Sequence, residues 1–346
     1  MEKKNKNTLK EKLHGRKSYV YNILIACLFV VALLIYTKVL APNTNNAQTI
    51  SSIDSQIELI IEPDMGKTPI LSAIKDAKSS IDLEIYLFSD TDILQELENA
   101  KKRGVNVRVI LEENPYGGFS SNTETKNKLA YYGIDWKWDN KNYEFTHSKF
   151  LIIDSKTGYI MNFNLSNASF TKNREFAIVT TDKTVIEELK NIFEADWNRK
   201  PYNPSENSPL VVSPENSRDK LKTLLKRSRG EILIYTEVLD DQEIKDILKQ
   251  RRAYGAEVKV ILADPESIPS NAEAVKELSR YGVDCKYVFT PYIHAKVIIV
   301  DETYAFVGSE NLTTNSLDEN REVGVIISDK GIISQIADKF VSDFGS

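Results

Sequence analysis

The hydrophobic positions of this chain form one long apolar run, followed by two similar series of short apolar segments. The run covers residues 19–36, which are 18 residues without a charged side chain. As a helix it would be about 27 Å long, close to the thickness of the hydrocarbon core of a bilayer. Seven Lys and Arg against two Glu give residues 1–18 a charge of +5. We therefore predict a cytoplasmic basic segment over 1–18, a transmembrane signal anchor over 19–41 and an extracytoplasmic remainder.

Two alternatives to the anchor stay open at this point. Residues 24–27 are similar to a bacterial lipobox that would be processed at Cys27, and ordinary signal cleavage is the other alternative. A cleaved signal has a shorter apolar region, about 7–15 residues, so the sequence favours an uncleaved anchor. Residues 42–55 are polar and predict a stalk. The predicted location is the cell membrane, with a single span and the catalytic domain on the extracytoplasmic side.

The short apolar segments repeat each other over residues 56–200 and 210–346. Strand and helix patterns alternate in both, and a proline-rich linker over 201–209 separates them. The corresponding segments are 59–63 and 210–214, 70–77 and 221–227, 81–88 and 231–238, 92–103 and 242–254, 105–111 and 258–262, and 150–153 and 297–300. This order predicts an α/β fold of two repeats, in which helices cover buried sheets.

Charge and cysteine content limit the functions available to the folded part. The chain carries −5 overall and its first 41 residues carry +6, so residues 42–346 carry −11. An acidic domain has no general attraction for nucleic acid or for anionic lipid, although a local basic pocket remains compatible with this charge. The cysteines are Cys27 and Cys285, which argues against a disulfide framework and excludes a cysteine-based zinc cluster.

A polar motif with fixed spacing occurs once in each repeat. A histidine is followed by lysine after two residues, aspartate after seven, asparagine after 17 and glutamate after 28. These residues are His147, Lys149, Asp154, Asn164 and Glu175 in the first repeat, and His294, Lys296, Asp301, Asn311 and Glu322 in the second. The remaining histidine is His14. Duplication for a larger core would explain repeated apolar strands, but not repeated polar residues at the same spacing.

The motif residues suit the chemistry of a tetrahedral anion. Residues two apart in a strand face the same way, so the histidine and lysine of each motif share one face. If the repeats pack about a pseudo-twofold axis, both pairs meet at the seam. Lysines would then neutralise phosphate oxygens and asparagines would bond them, while one imidazole attacks and the other donates a proton. The glutamates would fix the imidazole tautomers. Asp154 and Asp301, at strand ends, are expected to bond to nearby loops.

His-x-Lys-x4-Asp followed by Gly-Ser-x-Asn resembles the signature of the phospholipase D superfamily. The second copy fits fully, with Gly308 and Ser309 before Asn311, whereas Met161 and Asn162 replace the small pair in the first. The resemblance covers about residues 56–346. It implies a duplicated α/β sandwich with one active site between the repeats, no metal or other cofactor, and a phosphohistidine intermediate. It also implies that His147 attacks phosphorus and His294 protonates the leaving oxygen, with Ser309 in support. Met161 is expected to narrow the phosphate pocket or to shift Lys149.

The leading functional hypothesis is a membrane-anchored phosphodiesterase that acts on phospholipid headgroups, by phospholipase D hydrolysis or by transfer to an alcohol. Its expected partners are a phospholipid or other phosphodiester substrate and the membrane, through the N-terminal helix. A metal-independent extracytoplasmic nuclease is the first alternative, with nucleic acid as substrate. A catalytically impaired protein that binds phosphorylated polymers is the second. Lipid synthesis of the cardiolipin type ranks lower, because those enzymes usually carry a longer membrane region. The sequence does not indicate the oligomeric state.

Overall fold

The computed structural model describes residues 50–116 and 121–345. The predicted cytoplasmic segment, the predicted anchor and residues 42–49 of the predicted stalk lie outside the described residues. Within the described ranges, no helix combines the length and the apolar character needed to span a bilayer. The chain from Ile50 onward forms one compact unit, which contains both repeats.

Strands and helices alternate in the same order in the two repeats, apart from one short additional strand in the second. The first repeat contains β1 (Ile57–Glu62), α1 (Thr68–Asp76), β2 (Ser80–Ile85), α2 (Thr91–Lys102), β3 (Asn106–Leu111), α3 (Ser121–Tyr131), β4 (Asp135–Trp138), β5 (Lys149–Ile153), β6 (Thr157–Met161), α4 (Asn167–Thr171), β7 (Asn173–Thr180) and α5 (Lys183–Trp197). The second contains β8 (Leu210–Ser213), α6 (Ser217–Lys226), β9 (Glu231–Thr236), α7 (Gln242–Ala253), β10 (Glu257–Leu262), α8 (Ser270–Ser279), β11 (Asp284–Tyr287), β12 (Tyr292–Ile293), β13 (Lys296–Val300), β14 (Tyr304–Gly308), α9 (Thr314–Asp318), β15 (Glu322–Ile327) and α10 (Lys330–Gly345).

Each repeat builds a mixed sheet with the same strand order. The first sheet runs β1-β7-β6-β5-β2-β3-β4, and the second runs β8-β15-β14-β13-β9-β10-β11 in matching positions. Strands β2, β3 and β4 are parallel, as are β9, β10 and β11, while β5 and β13 join their sheets antiparallel. The predicted duplicated α/β architecture is therefore confirmed for the described residues.

Local sequence signals explain where the helices of this fold begin and end. Asp90 and Asp241 cap α2 and α7, because their carboxylates accept hydrogen bonds from backbone N–H groups of the first turn. Gly104 and Gly255 follow these helices with φ of +88° and +96°, a conformation that favours glycine. Both glycines were predicted as helix ends, and the prediction is confirmed.

The apolar residues form one core on the outer side of each sheet and a third core shared by both repeats. Ile70, Ile93 and Leu97 belong to the outer core of the first repeat. The shared core combines Phe150 and Phe176 of the first sheet with residues of the second sheet and of the final helices α5 and α10. Strands β5 and β13 are buried along their whole length, because apolar layers cover both of their faces.

Two buried arginines connect the repeats across this seam. Arg174, on β7, bonds through Nε to Asp343 of α10 at 2.7 Å. Arg321, just before β15, forms an ion pair with Asp196 of α5, to which one terminal nitrogen donates at 3.2 Å, and its other terminal nitrogen donates to Glu215 at 2.7 Å. An arginine of each repeat thus binds the final helix of the other repeat, as expected for a pseudo-twofold arrangement.

Candidate active site

Both histidines lie at the seam, immediately before the central strands β5 and β13. Their backbones bond to the other repeat: the amide of His147 donates to the carbonyl of Arg321 at 2.9 Å, and that of His294 donates to the carbonyl of Arg174 at 3.3 Å. Strand β12 adds in parallel to β7 in the same region. Each histidine is therefore placed beside the strand that carries the glutamate of the other repeat.

The histidine–glutamate pairs cross between the repeats. Nδ1 of His147 lies 3.0 and 2.9 Å from the two carboxylate oxygens of Glu322. Nδ1 of His294 bonds to one carboxylate oxygen of Glu175. Both carboxylates are fully buried, and each imidazole is 13% exposed. A carboxylate at Nδ1 fixes the tautomer and leaves Nε2 for chemistry. The predicted use of Glu175 and Glu322 matches this geometry, but the sequence did not indicate that the pairs cross.

Hydroxyl and amide groups hold the carboxylate of Glu322 in place. Ser316 Oγ donates to it at 2.9 Å and Asn320 Nδ2 donates at 3.1 Å. Val323 follows Glu322 in the chain, and its backbone amide donates to Ser309 Oγ at 3.0 Å. Through this bond Ser309, which was predicted as a supporting residue, helps to position Glu322. Burial acts against ionisation of Glu322, but His147 and Lys149 hold the pKa of this carboxyl below its usual value.

A second carboxyl group lies behind Glu175. Glu62 is its cross-strand partner between β1 and β7, and is fully buried. Burial raises the pKa of Glu62 to about 8, and the charge of Glu175 contributes in the same direction. At neutral pH Glu62 is therefore mostly protonated.

The two lysines of the motif are buried and bond to the histidine two residues before them. Lys149 Nζ donates to the carbonyl of His147 at 2.5 Å, and Lys296 Nζ donates to that of His294 at 2.7 Å. Burial lowers the pKa of Lys149 to about 7 and that of His147 to about 4, although Glu322 opposes both shifts. The imidazole of His147 is thus neutral at pH 7. A bound phosphodiester anion would favour the charged form of Lys149.

One position beside the catalytic motif differs between the repeats. Tyr86 follows β2, with its ring centroid 4.5 Å from that of His147 and 5.1 Å from Lys149 Nζ. Glu237 occupies the same position after β9, and its carboxylate lies 2.9 Å from Lys296 Nζ and 3.4 Å from His294 Nε2. The strands predicted over 81–88 and 231–238 were too long, because the chain leaves each sheet here. Neither Tyr86 nor Glu237 was predicted as part of the site. The signal that could have identified them is the different residue type at equivalent positions of the two repeats.

The two asparagines of the motif have different surroundings. Asn164 Oδ1 accepts the amide of Leu87 at 3.2 Å, which occupies its oxygen within the fold. The Oδ1 of Asn311 is buried, with no hydrogen-bond partner among the described residues. Contact of either asparagine with phosphate stays a prediction.

The motif aspartates have the structural role expected for them. Asp154 accepts backbone N–H groups of Lys78, Ser79 and Ser80 at 2.6–3.0 Å. Asp301 accepts those of Arg229, Gly230 and Glu231 at 2.8 Å. Each aspartate closes the turn that precedes β2 or β9.

The expected effect of Met161 on the phosphate pocket is wrong. Met161 is fully buried in the outer core of the first repeat, opposite Ala177 on β7. In the second repeat, a Cβ on Gly308 would lie 2.5 Å from Gly324 Cα and 2.6 Å from the ring of Phe306, so only glycine fits there.

Asn162 takes over the contact that Ser309 makes in the second repeat. Its Oδ1 accepts the backbone amide of Phe176, which follows Glu175. Its Nδ2 lies 3.3 Å from the carbonyls of Lys296 and Gly308 and so connects the repeats. The first motif therefore keeps this backbone contact despite its different residues.

In the described part of the chain, no three His, Cys, Asp or Glu side chains are grouped so that they could hold a metal ion. The charges available to a phosphate come from Lys149 and Lys296, beside two imidazoles that are each oriented by a carboxylate. These are the side-chain types that a phosphoryl transfer needs as nucleophile, proton donor and neutralising charge.

A family model described as "Cardiolipin synthase, PLD-like domain" matches the chain over residues 70–197 and again over 221–344. This chain belongs to the phospholipase D-like family. The two matched ranges carry the two crossed motifs, so the resemblance stated from the sequence is confirmed.

Curated relatives and solved structures are similar to this phospholipase D-like chain over most of its length. Major cardiolipin synthase ClsA of Bacillus subtilis is 24% identical, over 86% of this chain and 70% of the relative. Phosphatidylserine synthase of Haemophilus influenzae has a TM-score of 0.64 at 14% identity, over 83% of this chain and 86% of that one. Polyphosphate kinase of Porphyromonas gingivalis has a TM-score of 0.65 at 17% identity, over 86% and 55%. The two structures support the fold alone.

Proposed function

We propose that this protein is a phosphatidyltransferase of the phospholipase D type, which forms a phosphohistidine on His147 and passes the phosphatidyl group to an alcohol. The observation that carries the proposal is the crossed pair of histidine–glutamate contacts at the seam. Both pairs are complete, which argues against the catalytically impaired alternative.

The assignment of roles rests on the surroundings of the two rings. His147 is neutral at pH 7, and the Glu322 carboxylate at Nδ1 leaves the lone pair on Nε2, as a nucleophile requires. His294 has Glu175 at Nδ1 and Glu237 near Nε2. With Glu175 at Nδ1, a proton on Nε2 is the one that His294 would donate as an acid.

The reaction then has two balanced steps. In the first, Nε2 of His147 attacks phosphorus, the bond from phosphorus to the headgroup oxygen breaks, and His294 gives its Nε2 proton to that oxygen. In the second, His294 accepts the proton of an incoming alcohol, whose oxygen bonds to phosphorus as the bond to His147 breaks. Lys149 and Lys296 stabilise the negative charge of the phosphoryl oxygens in both transition states.

Phospholipid is favoured over nucleic acid as the substrate. The family description and the Bacillus relative both name cardiolipin synthase. Synthesis of the cardiolipin type, ranked low from the sequence, therefore moves ahead of phospholipase D hydrolysis. A charge of −11 over residues 42–346 adds no attraction for nucleic acid.

Phosphatidylglycerol vesicles provide the test of this function. We expect the full-length protein to release glycerol and form cardiolipin, and the His147→Ala and His294→Ala variants to lose turnover. Phosphatidic acid as the main product would show hydrolysis instead. Cleavage of single-stranded DNA without any lipid turnover would support the nuclease and contradict the proposal.

We also propose, from the sequence, that residues 19–41 anchor the protein in the cell membrane with the catalytic domain on the extracytoplasmic side. Such an anchor would keep the site near its lipid substrate. The expected result is recovery of the full-length protein in the membrane fraction, resistant to alkaline washing. Recovery in the soluble fraction, with a mature start near residue 42, would contradict the anchor.

A further inference from the structure

The two halves of the active site present different chemical groups beside otherwise equivalent histidines. Thr236 pairs with Lys296 as Ile85 pairs with Lys149, so Glu237 and Tyr86 hold equivalent positions, one residue beyond. An aromatic ring therefore borders His147, and a carboxylate borders His294. The repeats preserve the motif residues, but they do not preserve this neighbour.

Glu237 is held in its position by contacts at both oxygens. Oε2 lies 2.9 Å from Lys296 Nζ and 3.4 Å from His294 Nε2, and Oε1 accepts a hydrogen bond from the hydroxyl of Tyr292 at 3.3 Å. The side chain is 15% exposed. Burial acts against ionisation, but His294 and Lys296 hold the pKa of this carboxyl well below its usual range. Glu237 therefore carries a fixed negative charge at neutral pH.

This charge lies where the alcohol oxygen reacts. His294 Nε2 exchanges its proton with the leaving oxygen and later with the incoming one, so that oxygen must come within about 3 Å of Nε2. The same nitrogen is 3.4 Å from Glu237. Substituents on the carbon atoms next to the reacting oxygen consequently meet the field of this carboxylate, at a partly buried site where screening is weak.

We propose that Glu237 determines the charge selectivity close to the reacting alcohol oxygen. It favours alcohols whose adjacent carbon carries a neutral or cationic group and repels those whose adjacent carbon carries an anionic group; the phosphate of phosphatidylglycerol lies farther along its glycerol. The inference rests on the proposed phosphatidyl transfer. Other charges face the same space: Lys149, Lys296, Glu175 and Glu322. They are common to the wild type and to a glutamine variant, so Glu237→Gln changes the local charge by one unit at nearly constant size.

Competition between small alcohols of similar size measures this selectivity. The full-length protein receives phosphatidylglycerol vesicles at pH 7 in high salt, which screens the vesicle surface. Ethanolamine, ethylene glycol and glycolate are added together as cationic, neutral and anionic acceptors. Mass spectrometry then gives the ratio of the three phosphatidyl products. This ratio does not depend on how much of each variant is active, so partial misfolding does not affect it.

We expect the wild type to use glycolate at least about tenfold less than ethylene glycol, and Glu237→Gln to lower the ethanolamine-to-glycolate ratio by at least about tenfold. Glu237→Asp keeps the charge and should keep the wild-type order of preference. Glu257→Gln is the matched control, since Glu257 is 55% exposed and pairs with Lys259. Its product ratio should equal that of the wild type.

Transfer to all three alcohols with the same ratio in the wild type and Glu237→Gln would overturn this inference and leave the proposed function standing. Equal use of glycolate and ethylene glycol by the wild type would overturn it without any variant. A wild type that forms neither cardiolipin nor any product with these alcohols would overturn the proposed transfer, and this inference with it.

Discussion

The Glu322→Gln substitution tests the crossed pairing, because it removes a charge and keeps the size of the side chain. Nδ1 of His147 lies 2.9 and 3.0 Å from the two buried oxygens of this carboxylate. When His147 bonds to phosphorus its ring becomes positive, and the carboxylate stabilises that charge. A hydrogen bond to a charged group contributes about 1.5–3 kcal/mol, or roughly 10- to 150-fold in rate. Burial places this contact toward the upper value, so we expect phosphohistidine to form about 100-fold more slowly.

The assay is a single-turnover measurement with phosphatidylglycerol labelled at phosphorus, which follows label that becomes bound to protein. Glu188→Gln is the matched control. Glu188 is also a buried glutamate, 4% exposed, but its carboxylate bonds to Tyr202 and Ser205. This control should form the intermediate at the wild-type rate. If Glu322→Gln also stays within about twofold of the wild type, His147 does not depend on the carboxylate from the other repeat, and the reasoning fails.

Three further results follow from the same contacts. EDTA should leave the rate of lipid turnover unchanged, because two lysines supply the positive charge; a loss that added metal restores would contradict this. The pKa of His147 is about 4 in the fold against 6.5 in the unfolded chain, so the unfolded state binds more protons between these values. Lowering the pH through this window should therefore cost up to about 3 kcal/mol of stability in urea titrations, and less in a His147→Asn variant. Arg321→Met leaves the buried Asp196 and the partly buried Glu215 without their partner and should lower the free energy of unfolding by about 3–5 kcal/mol; a change below about 1 kcal/mol would refute a stabilising role for the Arg321–Asp196 ion pair.

The sequence predicted the parts of the fold that depend on local pattern. The apolar strands were recognisable because β5 and β13 are covered on both faces, and Gly104 and Gly255 marked helix ends through their positive φ. The position of Asp154 at the end of a predicted strand indicated its structural role. These features are determined by residues that are close together in the chain, so a single sequence is enough to predict them.

The pairing of groups across the seam was not predictable in the same way. Identical spacing in both repeats gives no sign that Glu322 serves His147 rather than His294, since this depends on how β15 packs against the other repeat. Met161 was misjudged for a related reason, because its neighbour Ala177 comes from β7. Glu237 belongs to no sequence motif. It is distinguished only by the comparison with Tyr86, the residue at the equivalent position of the first repeat.

The crossed contacts have a consequence for the history and engineering of this chain. Neither half contains a finished reaction centre, because each imidazole takes its acidic partner from the opposite half. Two polypeptides produced from a break in the linker would each be inert until they associated, and mixing them would restore turnover in proportion to the heterodimer formed. An ancestor with a single copy of the motif would have needed to pair with itself, so self-association would have preceded gene fusion.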